Sequence, residues 1–171
     1  MQIEELSRQA SLDLVARVRF GRLACAKQSQ PYIVPFYYVC DEGHVYGFTT
    51  VGQKVEWMRD NPLVCVEVDD VKSPQQWSSV IVFGRYEELP NSQEWQSTRE
   101  RVHHLLTQRE IWWEPGFAKT IVHGATRPLI PVFYRIVIEQ ITGHRALPDG
   151  QTSEKDVLPR ANWLKALLSR L

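Results

Sequence analysis

Residues 21–54 read GRLACAKQSQPYIVPFYYVCDEGHVYGFTTVGQK, and this stretch decides how the rest of the chain is read. It holds three apolar runs, at 22–27, 32–40 and 44–49, each of strand length and rich in Val, Ile, Tyr and Phe, which suit a pleated, half-buried surface. Gln28-Ser29-Gln30-Pro31 and Asp41-Glu42-Gly43 separate them. Gaps this short, carrying Pro, Asp or Gly, reverse a chain more naturally than they carry it across a sheet, so the stretch predicts an antiparallel meander. Pro35 interrupts the second run where a ladder would lose a donor, which puts that strand at an edge or a bulge and opens its backbone to a ligand. An edge proline without a role is the simpler reading of that residue taken alone.

The stretch closes on Thr49-Thr50-Val51-Gly52-Gln53-Lys54, two hydroxyls, a glycine and an ammonium directly before a helical segment at 55–60. The first amides of a helix lack intrahelical partners, and hydroxyls with a lysine complete a seat for an anion, a phosphate by preference. A solvated turn with Lys54 facing water is the alternative.

Outward from this core, Ser11 is placed to cap a short helix with Leu12, Val15, Ala16 and Phe20 on one face, ended by Gly21. After the loop, Val55 and Met58 point one way and Asn61-Pro62 stops the helix. Residues 63–68 form a strand whose near-continuous apolar run suggests burial on both faces, in a barrel wall or a dimer seam, and 69–76 read as a polar connection. Trp77 opens a strand that runs to Leu89. Asn91, with Glu94 three positions on, caps a helix to Gln108 with Trp95, Val102, Leu105 and Leu106 on one face. Residues 111–117 (IWWEPGF) make an aromatic loop suited to a lid, a subunit contact or a satellite core. Residues 132–141 alternate as the last strand. Past Pro148-Asp149-Gly150, Leu164, Leu167, Leu168 and Leu171 line one side of a terminal helix expected to pack on the barrel or on a second subunit. The expected organisation is a domain at 1–146 followed by a linker and amphipathic helix at 147–171.

Composition excludes several classes. The 171 residues suit one domain with a real core, and 20 basic against 20 acidic residues leave no electrostatic footprint for nucleic acid. No apolar run is long enough to span a bilayer, and MQIEELSRQ is too polar for a secretory signal, so a cytoplasmic protein is expected. Cys25, Cys40 and Cys65 lie in predicted strands without CxxC or CxH spacing and are assigned to packing. His103 and His104 are helical neighbours about 100° apart and cannot chelate one ion. GxGxxG, Walker, HExxH and GxSxG patterns are absent, which leaves nicotinamide folds and serine hydrolases unsupported.

The ordered blocks GRLA, PYIVPF, VYGFTT, GQK, NPLVCVEVDD, WSSVIVFG and YRIVIEQITGHRA resemble the pyridoxamine 5'-phosphate oxidase-like flavin-binding split barrels, in the branch that includes nitroimidazole-resistance proteins, over residues 11–146. The resemblance implies a mainly β fold with flanking helices, a split barrel of six or so antiparallel strands with the first helix plugging one end. It also implies a homodimer holding FMN between its subunits: the phosphate on Thr49, Thr50, Gly52 and Lys54, the ring along Ile33, Val34, Pro35 and Phe36, and Ser78 and Ser79 completing the cradle. Ser79 matches a polar residue that reaches the cofactor in relatives; it is shorter than the glutamine of pyridoxamine phosphate oxidases, which suits a water-mediated contact. Arg145 either adds charge near the cofactor or lies at the surface.

Two departures narrow the activity. The arginine and histidine that bind substrate near the C-terminus of pyridoxamine phosphate oxidases have no counterpart after Gly143, and Phe48 stands about where nitroimidazole-resistance relatives carry a histidine. The expected activity is therefore a two-electron oxidoreduction by bound FMN on a small, flat substrate. A non-catalytic flavin-binding module is one alternative. A haem-handling split barrel is another, and would need His44, His123 or His144 as iron ligand.

Overall fold

The computed structural model describes residues 1–108, 121–122, 125–126 and 130–149. In chain order its elements are β1 (Gln2–Glu5), α1 (Arg8–Val18), β2 (Phe20–Lys27), β3 (Gln30–Asp41), β4 (His44–Thr50), α2 (Gln53–Asp60), β5 (Leu63–Ser73), β6 (Gln76–Glu88), a 3-10 turn (Gln93–Trp95), α3 (Gln96–Thr107), the short β7 (Ile121–Val122) and β8 (Ala125–Thr126), and β9 (Pro131–Leu147). The three runs of the opening stretch are β2, β3 and β4, joined by hairpins. Gln28 and Ser29 both take positive φ, 48° and 66°, between the paired Lys27 and Gln30, the mirror-image turn that matches strand twist.

Seven antiparallel strands form one sheet in the order β1-β9-β4-β3-β2-β5-β6, and pairing of β6 with β9 closes it into a barrel. The closing strand is β9: β6 covers one of its edges from Tyr134 to Ala146, while β4 (through Pro131 to Val137) and β1 (through His144 to Leu147) share the other. Alternation along these strands sends Val45, Val64, Val66, Val68, Val80, Val82, Tyr134 and Ile136 into the barrel. Rings of Phe36, Tyr38, Tyr86 and Tyr134 stack there, centroids 5.2–5.9 Å apart. Gly47 makes room for them, since a Cβ at that position would lie 2.6 Å from both Phe36 and Tyr134. Gly47→Ala is expected to cost about 1–3 kcal/mol by overpacking, read as a lower urea midpoint at unchanged slope.

Helix α1 covers one end of the barrel, where Tyr38 Oη donates to Val15 O at 2.8 Å. Its start differs from the sequence expectation. Ser7, not Ser11, is the N-cap, accepting from the Ala10 N–H at 3.2 Å, and Ser11 lies one turn inside the helix, 1% exposed. Packing sets this register: a Cβ on Gly143 would lie 2.7 Å from Ser11 Oγ, so the serine is the small residue where α1 meets β9. The helix ends on Arg19 in the left-handed region rather than on Gly21, and Gly21 belongs to β2, where a Cβ would come within 2.3 Å of Glu67 O.

Three further expectations are corrected. β5 continues through Asp69 and Asp70 to Ser73 instead of ending at Val68, because β6 keeps pairing with it to Gln76. Its apolar run also alternates: Val64, Val66 and Val68 are buried, whereas Leu63 on the opposite face is 53% exposed. Asn91 caps nothing; it is exposed, and the segment enters through the 3-10 turn before α3 begins at Gln96. The apolar face of α3 is as expected, with Val102 and Leu106 buried and Trp95 and Leu105 partly so, on a second core outside the barrel formed with Val39, Tyr46, Phe48, Leu89 and Phe133. The aromatic loop with Trp112 and Trp113, and the terminal leucine stripe, lie outside the described residues.

Candidate functional site

The sheet divides at one place. β3 pairs with β2 over residues 30–37 and with β4 only over 38–41, while Phe48, Thr49 and Thr50 of β4 pair with β9 alone. Beyond the Tyr38–Gly47 pair, β3 and β4 therefore part and leave a split in the wall. In a two-residue hairpin the closing pair is hydrogen-bonded and the following pairs alternate, so the main-chain groups of Pro31, Ile33 and Pro35 face away from β2 and into the split. Two of these three residues have no N–H to lose, which is why prolines are tolerated inside a strand of this barrel.

Helix α2 follows directly on the unpaired end of β4 and packs against the β2–β3 hairpin and the end of β6. Val55 and Met58 are fully buried in the barrel core, Trp57 packs against Tyr32 with ring centroids 5.4 Å apart, and Asn61 Nδ2 donates to Ala26 O at 3.1 Å. This holds the helix amino end at the rim. Gly52 is the N-cap, in extended conformation and with no atom within 4 Å of where a Cβ would stand. The first intrahelical bond is Glu56 N–H to Gly52 O at 3.0 Å, so the amides of Gln53, Lys54 and Val55 come before the helical ladder begins. Lys54 is half-buried, and at Cys25 burial pushes the thiol up while the Lys54 ammonium opposes it. Thr49 is 1% exposed and pairs with Val132, a barrel-core residue, so its hydroxyl faces inward beside α2; Thr50 pairs with Pro131 and faces the other way. As strand neighbours, the two threonines serve opposite sides of the rim.

The expected ring segment splits in the same manner. Phe36 is buried and Val34 half-buried inside the barrel, whereas Pro35 is exposed and Ile33 is 63% exposed on the outer face. Ser79 shares that outer face and donates to Glu67 at 3.4 Å. Around it Arg22 pairs with both Glu67 and Asp69. Burial and the neighbouring Asp69 push the Glu67 carboxyl up, against Arg22 and Ser79. Ser78 lies in register with Asp70 and Arg145. Within one chain neither serine meets the helix rim, since Thr49 pairs with Val132 and Ser79 with His144 of the same strand, roughly 40 Å further along it at about 3.3 Å per residue. The chain thus sets Thr49, Thr50, Gly52 and Lys54 within six residues where β4 parts from β3, with the two threonines on opposite faces, and sets Ile33, Pro35 and Ser79 on the outer face. Arg22, Glu67 and Asp69 were not legible as site neighbours, because only cross-strand register unites them.

Phe48, at the place of the relatives' histidine, is 8% exposed and packs on Phe133 at 4.6 Å, so it belongs to the second core. His44 has its Nδ1 2.9 Å from Glu42 O, and His144 is exposed beside Ser79 on the sheet. His123 lies outside the described residues. Among the described residues no three His, Cys, Asp or Glu side chains group as a metal site, and no helix is long and apolar enough to cross a membrane. Cys25, Cys40 and Cys65 are free thiols.

A small antiparallel barrel split between two strands, with a helix amino end and a lysine at the gap, defines the class of split-barrel proteins. Residues 7–145 match the family of pyridoxamine 5'-phosphate oxidase, and the chain belongs to that family. An uncharacterized protein of Rhizobium meliloti (strain 1021) is 36% identical over 146 residues, 85% of this chain and 97% of its own. Among solved structures, a FAD-binding protein of Mesorhizobium loti is similar at 39% identity and a TM-score of 0.73, covering 86% of this chain and 99% of that one. The FAD binding protein of Mycobacterium smegmatis, 23% identical with a TM-score of 0.58 over 83% of this chain and 98% of its own, shares the fold.

Proposed function

We propose that this protein is a flavin-binding oxidoreductase, working as a cytoplasmic homodimer on a small, flat substrate. The observation that carries the reading is the split between β3 and β4 with the amino end of α2 and Lys54 at its rim. The donor set suits a flavin phosphate: an ammonium, the three leading amides of α2, and the hydroxyl of Thr50, the more exposed of the two threonines. Ile33 to Phe36 then offer the ring a main-chain edge that carries only the Ile33 donor between two prolines. When bound, the flavin supplies the two-electron chemistry, and the protein supplies seating and orientation. FMN satisfies this seat, and FAD, the ligand of the Mesorhizobium loti relative, presents the same phosphate.

A second copy of the chain accounts for the outer face. Ile33, Ala24, Cys65 and Phe83 stand in register across β3, β2, β5 and β6, an apolar row with Ile33 63% and Phe83 44% exposed, and Leu63 at 53% extends it. Joining two such faces brings Ser79 and Arg22 of one subunit toward the β3 segment of the other. Reduced cytoplasmic conditions suit the three free thiols.

Protein purified after flavin supplementation is expected to carry the yellow absorption of oxidised flavin at near one per chain and to elute as a dimer, and anaerobic mixing with a reduced nicotinamide separates an enzyme from a carrier. Phe83→Glu is expected to give monomers that retain flavin poorly. Colourless protein that takes up neither FMN nor FAD overturns the flavin reading; monomeric wild type overturns the dimer.

A further inference from the structure

Beyond the phosphate seat lies a cleft of about 320 Å³ between α2, the end of β6, α3 and the start of β9. Its charges do not cancel. Arg59 is held by Glu88 through two bonds, 2.6 and 3.1 Å, and Tyr86 Oη adds a third to the same carboxylate at 2.8 Å, so that pair is neutral. Among the described residues Arg99 donates to a main-chain oxygen alone, Leu89 O at 2.6 Å, with its guanidinium carbon 4.7 Å from the Phe133 ring centroid. Among the described residues no carboxylate lies within ion-pair distance of Arg99. A half-buried guanidinium, backed by an aromatic ring and with no carboxylate among the described residues paired to it, is a place for an anion.

The cleft adjoins the seat. Thr50 pairs with Pro131, which forms part of the cleft wall, and the Val51 N–H donates to Ile130 O at 3.1 Å, so seat and wall are one strand spacing apart, about 4.8 Å. The volume exceeds what one phosphate fills and stands at the lower bound of small-molecule sites, roughly 300 Å³. The seat carries a lysine in the first turn of α2, and the cleft beside it carries a guanidinium of its own, Arg99. FMN carries both negative charges on one phosphate; the diphosphate of FAD carries one on each.

We propose that this cleft takes the adenylate half of FAD, with Arg99 on the second phosphate and the Asn91 amide at its mouth toward the adenosine. The proposal rests on the flavin reading above and makes FAD, rather than FMN, the preferred form. A flavin that ends at the first phosphate leaves the cleft to water.

The test is equilibrium binding of FMN and of FAD, separately, by flavin fluorescence to wild type, Arg99→Gln, Arg99→Lys and Asn91→Asp. Wild type is expected to hold FAD at least tenfold more tightly than FMN. Arg99→Gln is expected to erase that preference by weakening FAD alone, and Arg99→Lys to keep most of it. Asn91 is exposed, so Asn91→Asp leaves the packing intact, and the carboxylate it brings into the cleft should lower FAD affinity without touching FMN. Equal wild-type affinities, or Arg99→Gln and Asn91→Asp changing the two flavins alike, would overturn the cleft assignment and leave the flavin reading standing. Failure of both flavins to bind wild type overturns both.

Discussion

Lys54→Ala is expected to lower flavin affinity between tenfold and a hundredfold while the unfolding midpoint without flavin stays where it is. The magnitude follows from what one charge-assisted contact contributes, about 1.5–3 kcal/mol, with about 1.4 kcal/mol per tenfold. The separation of binding from folding follows from the place of the residue. Burial of α2 rests on Val55 and Met58, and Lys54 stands outside both buried clusters. Lys54→Arg keeps the charge and should stay within a few-fold of wild type, although its fork is not the same donor as an ammonium. Titration of both variants with FMN, beside urea unfolding of the apoproteins, decides the matter. Wild-type affinity in the alanine variant would remove Lys54 from the site and leave the split without its charge.

Met58→Ala should be the most destabilising of these changes, by about 2–5 kcal/mol, a large share of the roughly 5–15 kcal/mol that holds a domain together. Met58 is fully buried in the barrel core, on the face of α2 that also carries Val55. Removing it leaves a cavity beneath the helix and frees the amino end that offers the leading amides, so flavin affinity should fall as well. Excess flavin should then recover part of the lost stability, because a ligand that binds only the folded state stabilises it by RT ln(1 + [L]/Kd). A urea midpoint shifted by less than the equivalent of about 1 kcal/mol would show that α2 is anchored elsewhere.

Which parts of this molecule could be read in advance follows the range of the interactions. The β2–β3–β4 meander was legible because turn residues and strand runs are local. The loop before α2 was legible for the same reason: hydroxyls, glycine and lysine lie within six residues of a helix start. Pro35 correctly announced an open strand edge. The change of partner at Tyr37–Tyr38, which makes that edge a gap, depends on β9 capturing β4 more than eighty residues later and left no local trace. Ser7 and Ser11 are both plausible caps, and the choice was made by Gly143, far along the chain, needing a small side chain opposite it. Asn91 misled for a related reason: Pro90 and the Ser92 N–H to Pro90 O contact set up a tight turn where an α-helix was expected. The Arg22, Glu67, Asp69 and Ser79 group is spread over three strands and exists only through register. The opposed facing of Thr49 and Thr50, by contrast, was available from strand alternation as soon as Thr50 was counted within the strand.

The place of β9 has a consequence for the birth of the molecule. It supplies both edges of the closing seam, to β6 on one side and to β4 and β1 on the other, yet it is synthesised after every strand it joins. A nascent chain that has reached residue 130 holds β2 to β6 as an open ribbon with two unsatisfied margins, one of them bearing Phe48, Thr49 and Thr50. Ribosome-bound intermediates of that length should be the species that chaperones engage and that proteases and self-association threaten, and release of about twenty further residues should end the exposure in one step.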